Sequence, residues 1–149
     1  MSVKKEIPSV FIANYLISDG SEGGISCTLN LFFDPFTSQV DGRSTITQPV
    51  PDMVPVKSSV SGHYQPVYTM DSKNTLVVLT GFSDSRGALV NLELRMVLNE
   101  GLKSGTANYS FLDQGEWVQV ENQQVELIED TRPYEINRLA DKLAGTPKL

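Results

Sequence analysis

Residues 89–120 read Leu89-Val-Asn-Leu-Glu-Leu-Arg-Met-Val-Leu98, then Asn-Glu-Gly-Leu-Lys-Ser-Gly-Thr-Ala-Asn-Tyr-Ser-Phe-Leu112, then Asp-Gln-Gly-Glu-Trp-Val-Gln-Val120. Leu92, Leu94, Met96 and Leu98 take one face of a period-two pattern, with Asn91, Glu93 and Arg95 on the other. Ala107, Tyr109 and Phe111 alternate with Thr106, Asn108 and Ser110 in the same way. A tight turn at Asp113-Gln114-Gly115 returns the chain through Trp117 to Val120. Successive side chains on a strand point to opposite faces, so this alternation predicts three antiparallel strands in a meander, each with one buried face.

Downstream, Glu121-Asn122-Gln123 turns the chain into Val125-Glu-Leu. Upstream, Thr75–Gly81 carries Leu-Val-Val-Leu and predicts a strand buried on both faces. Val56–Gln65 is another strand, and Pro66 marks a bulge or an edge. Pro49, Pro51 and Pro55 exclude a central strand and predict an extended crossover between two sheets. Ile25–Phe33 and Val40–Gln48 alternate as strands, the second polar enough for a sheet edge or a wet face. Pro8–Ser18 is rich in aromatic and branched residues; a strand is expected, with a helix as the competing reading. The Asp19–Gly24 loop has the composition of a glycine-rich hairpin and lacks the alternating oxygen ligands of a calcium loop.

The end of the chain has a different period. In Pro133–Gly145, Ile136, Leu139, Ala140 and Leu143 recur at i, i+3, i+4, i+7, with Pro near the start and Gly at the end. This predicts a short amphipathic helix whose apolar stripe must dock on its own sheet or on a neighbouring subunit. Regular short strands elsewhere predict an all-β fold: an antiparallel β-sandwich, or a Greek-key barrel, of about eight to ten strands. The expected division is a β domain over residues 1–130 and a helix and tail over 131–149.

The chain has 149 residues, enough for one domain burying about two-thirds of its unfolded surface. Its net charge is -6 and its basic residues are scattered, which argues against nucleic-acid binding. A single cysteine, Cys27, forbids an intramolecular disulfide and reads as a small strand side chain. No apolar run approaches the roughly 18 residues of a membrane span, and no cleavage signature follows Lys4-Lys5. A cytoplasmic location is expected, leaderless export being the route that would leave no trace.

The one histidine, His63, has no nucleophile elbow to accompany it and reads as a strand residue. One histidine and one cysteine are too few for a zinc site, and no phosphate-binding glycine loop precedes a helix. Glu93, Asp113, Glu116, Glu121 and Glu126 fall at solvated slots or turns, although antiparallel strands can bring distant acids together. Neither catalytic residues nor a cofactor or metal site is expected.

Ser61-Gly62-His63-Tyr64, Leu-Glu-Leu-Arg-Met-Val-Leu and Ser-Gly-Thr-Ala-Asn-Tyr-Ser-Phe-Leu-Asp-Gln-Gly-Glu-Trp together resemble a bacterial family, domain of unknown function 1842, over about Val56–Leu127. The Phe82–Leu89 loop looks shorter than that family's, and the C-terminal helix is not part of that domain. The resemblance implies a compact β domain and no catalytic residues.

The leading functional expectation is a non-enzymatic interaction protein, self-associating or binding another protein through edge strands and terminal segments. Val10, Phe11, Tyr15, Ile136, Leu139 and Leu143 would form that interface. The alternative is a β-barrel module for a small apolar or carbohydrate ligand, contacted by Tyr64, Tyr68, Tyr109 and Trp117. A carboxylate-dependent hydrolase is the third reading.

Overall fold

The computed structural model describes residues 9–21, 23–51, 53–83 and 89–131. Eight strands follow in order: β1 (Phe11–Ser18), β2 (Ser26–Asp34), β3 (Gln39–Thr47), β4 (Val56–Tyr68), β5 (Lys73–Ser83), β6 (Val90–Leu98), β7 (Ser104–Asp113) and β8 (Glu116–Asp130). Each pairs antiparallel with the next, and β8 returns to pair with β1, closing a barrel. All-β and antiparallel is therefore right, and the meander of residues 89–120 is β6, β7 and the start of β8. The sandwich and Greek-key arrangements are corrected to an up-and-down barrel. The prolines at 49, 51 and 55 are why: they sit in the link from β3 to β4, which are hydrogen-bonded neighbours, so nothing crosses between sheets. The expected C-terminal helix lies outside the described residues.

One register row shows how the barrel is built. Ala13, Leu31, Gly42, Val60, Gly81, Leu92, Phe111 and Val118 follow one another around the wall by direct cross-strand pairing. Large side chains meet glycines in this row, and an eight-stranded barrel has an interior just wide enough for side chains to fill. Tyr15, Phe33, Phe111, Leu94 and Met96 are among those that fill it, almost wholly removed from water. Phe11 stacks on Phe33 with ring centroids 4.8 Å apart, and Tyr64 meets Phe33 edge-on at 5.2 Å. The expectation that β5 is buried on both faces is corrected: Val77, Leu79 and Gly81 point inward, while Leu76, Val78 and Thr80 are half-exposed. A barrel wall has only one dry side.

Closure needs strongly coiled strands, and three glycines permit it. A Cβ on Gly42, Gly62 or Gly105 would run into the carbonyl oxygen of Asn30, Val78 or Val97 respectively. Glycine at such points lets neighbouring backbones approach where the sheet bends. Pro66 lies where β4 has outrun β3, whose pairing stops at Gln39–His63, so its missing N–H costs no ladder bond on that side.

Candidate functional site

On the outer wall, β5 to β8 enclose an open groove of about 710 Å³. Outward residues of four adjacent strands line it: Val78 and Thr80, Glu93 and Arg95, Asn108 and Ser110, Gln119 and Glu121. Their order follows from register: Thr80 pairs with Glu93, Glu93 with Ser110, and Ser110 with Gln119. A barrel wall is ordinarily convex, so the concavity needs a local cause. That cause is a bulge in β8, where the register against β7 shifts between Ala107 and Tyr109. Asn122 takes φ 58° there, a left-handed conformation that asparagine tolerates better than most residues. The Asn122 N–H donates to the Asn108 side-chain oxygen at 2.7 Å, which fixes the bulge.

Trp117 lies on the same outer face as the groove, beyond the residues that line it. It lies two residues before Gln119 on β8, with the same outward parity, so about 7 Å separates the two along the strand. It pairs with Leu112 and is 48 % exposed. Past the bulge a second groove of about 390 Å³ continues along β7 and β8, lined in part by Thr106, Gln124 and Glu126. The two grooves lie one after the other along the outside of these strands, the first mainly polar and the second mixed.

The four aromatic residues expected to meet a ligand do not come together. Tyr109 is buried inside the barrel, behind the groove, and its hydroxyl has no hydrogen-bond partner among the described residues. Tyr64 is also inward, against Phe33. Burial first, and then the Asp34 carboxylate, push its hydroxyl above the usual phenol range. Tyr68 is exposed on the β4–β5 hairpin. Of the four, Tyr109 alone contributes to the groove's lining, from its floor, and Trp117 lies beyond the lining residues on the same outer face.

The expected interface is corrected in part. Phe11 and Tyr15 point into the barrel, and the Tyr15 hydroxyl donates to the Leu102 carbonyl at 2.9 Å, so neither can meet a partner in the closed fold. Val10 is exposed; Ile136, Leu139 and Leu143 lie outside the described residues. Free edge strands, the other expected route to association, are removed by the β1–β8 seam.

His63 sits exposed on the outer wall between Gln39 and Val78. Of the five acids noted in the meander, Glu93 and Glu121 line the groove, both exposed. Asp19 serves its own loop: its carboxylate accepts from the Ser21 hydroxyl at 2.7 Å and from the Ser21 N–H at 2.9 Å, which lowers its pKa. Among the described residues no cluster of three metal-ligating side chains occurs, and there is no helix long and apolar enough to cross a membrane. Sequence reasoning missed Asn108, Asn122, Ser110 and Gln119 as site residues. The signal available was the Glu121-Asn122 break in alternation, which reads as a turn rather than as a bulge.

The molecule is thus a closed, eight-stranded antiparallel meander barrel with a packed interior and a polar groove on its wall. The chain belongs to the family described as Domain of unknown function (DUF1842), whose model matches residues 9–117. That match begins far ahead of Val56, where the resemblance was first placed, and takes in β1 to β3 as well. No curated protein matches the chain.

Proposed function

We propose that this barrel is a non-enzymatic binding module whose ligand is a neutral, hydroxyl-rich chain, such as an oligosaccharide, lying along the outer track of β7 and β8. The observation that carries the reading is a groove shaped by a fixed bulge and lined by both donors and acceptors: Arg95, Asn108 and Gln119 can donate, and Glu93, Ser110 and Glu121 can accept. Trp117, two residues before Gln119 on the same outer face, offers an exposed aromatic surface for stacking against a sugar ring. Two features favour this over the other readings. The barrel interior is occupied by its own side chains, which disfavours an apolar ligand held inside. Glu93 and Glu121 stand in open solvent, whereas a carboxyl serving as general acid needs a setting that keeps it protonated.

Trp117 is the only tryptophan, so its fluorescence reports on the site directly. Titrating the full chain with soluble neutral oligosaccharides of several linkages should give a saturable change, stronger for longer chains. Trp117→Ala, followed by calorimetry, should weaken binding roughly tenfold with the fold intact. Silence across the panel by both fluorescence and calorimetry would overturn the proposal.

A further inference from the structure

The seam leaves no strand an edge along its whole length, but it covers only part of β8. β1 pairs with Gln124–Asp130, whereas β8 begins at Glu116. The first part of β8 is held by β7 alone. Which way its main chain points follows from the turn at Gln114-Gly115, where both residues take positive φ. In such a two-residue hairpin the flanking pair, Asp113 and Glu116, exchanges main-chain bonds, and bonded pairs alternate from there. Glu116, Val118 and Val120 therefore bond to β7, while Trp117 and Gln119 turn their N–H and C=O the other way. Among the described residues no main-chain partner reaches them on that side. The straight part of this edge ends at the Asn122 bulge; just before it the Glu121 carbonyl accepts from Gln123 Nε2 at 3.0 Å.

A second open edge is protected. β4 runs on to Tyr68, past its last pairing with β3 at His63. The Tyr64 N–H donates to the Ser38 carbonyl, so two residues later Pro66 removes the next donor on that exposed side. Glu116–Val120 has no such guard. It reads Glu-Trp-Val-Gln-Val, with neither Pro nor Lys and with residues that favour a sheet.

We infer that this edge pairs with the same edge of a second copy, antiparallel, across a twofold axis at Val118. Glu116–Val120 is the straight unpaired stretch, and Val118 is its centre. Trp117 then faces the partner's Gln119, and Gln119 the partner's Trp117, so each pair exchanges both its main-chain bonds and every free group is met. Glu116 lies opposite the partner's Val120, and Glu121 opposite the partner's Gly115, so no like charges oppose each other. Half-buried Val118 meets its own copy, as an isologous contact requires. This pairing does not rest on the saccharide reading, but it sets the partner's Trp117 beside Gln119, which lines the groove. Each groove thereby gains an aromatic neighbour from the other copy.

Sedimentation of the full chain, with no saccharide present, tests this. It should show a reversible equilibrium between one chain mass and twice that mass. Gln119→Pro removes a donor that faces away from β7, so the barrel keeps its own ladder while dimer affinity falls at least tenfold. Val118→Cys should cross-link to a dimer on mild oxidation, because directly opposed residues of a non-hydrogen-bonded pair approach to about 4.5 Å between Cα atoms, within disulfide reach. The native Cys27 is buried and stays out of that reaction. A single chain mass at every concentration overturns the inference. So does a dimer that Gln119→Pro leaves intact, or one that Val118→Cys does not cross-link. Neither result bears on the saccharide reading, which is decided by titration.

Discussion

Cys27 and Tyr109 are buried inside the barrel, and each carries a proton that the unfolded chain would give up sooner. Burial pushes the Cys27 thiol from 9.0 up to about 12. Burial, and then the neighbouring Cys27, push the Tyr109 hydroxyl upward as well. Above pH 9 the unfolded thiol ionises while the folded one stays protonated. Stability that is complete below pH 9 is therefore lost as pH rises toward 12, by roughly 1.4 kcal/mol per pH unit for each proton retained. Urea midpoints measured from pH 8 to 11 should fall, and Cys27→Ala should fall less steeply. Gly62 makes a separate test, because a Cβ there meets the Val78 carbonyl oxygen and has nowhere to relax. Gly62→Ala should cost about 3 kcal/mol in urea unfolding. Gly115→Ala, at a turn with φ 86° and open space around it, should cost nearer 1 kcal/mol.

At the level of elements, the β8 bulge makes the groove. Asn108→Ala removes the acceptor that holds Asn122, yet both residues are exposed and water can take over the bond, so stability should drop by no more than about 1 kcal/mol. Oligosaccharide affinity, followed by Trp117 fluorescence, should fall roughly tenfold; unchanged affinity would show that the bulge does not shape the site. Strands were the legible part of this sequence, because alternation at Leu92–Leu98 and Ala107–Phe111 records which side is dry. Connections were not. Pro49, Pro51 and Pro55 say that a segment is extended, but not that its two ends return to adjacent strands. Burial on both faces of β5 was misread because a run such as Leu76-Val-Val-Leu79 is equally compatible with a dry outer side and a half-wet one. The groove was illegible for a related reason. Glu93 and Gln119 are distant in sequence, and only register places both on one wall, separated by Ser110.

For the whole molecule, closure decides stability. The family match ends at residue 117, the second residue of the long β8, whereas that strand runs to Asp130. A fragment of residues 9–117 would lack both the seam and the partner of β7, and should show no cooperative thermal transition by circular dichroism. Residues 9–131 should unfold in one step. The seam also has a kinetic consequence. Seven of the eight pairings join consecutive strands and form as local hairpins; the last must find its partner across the whole chain, with Ile12 and Thr131 separated by 119 positions. Made in a fully unfolded chain, that encounter would cost about 4 kcal/mol of loop entropy, which favours forming the seven local pairings first. The local pairings are therefore expected to form ahead of the seam, and refolding followed by stopped-flow fluorescence should be faster when residues 131 and 9 are joined. Joining residue 131 to residue 9 through a short linker, with new ends cut at Gly115, would turn the slow encounter into another hairpin. The barrel would then have a different late step, between β7 and β8.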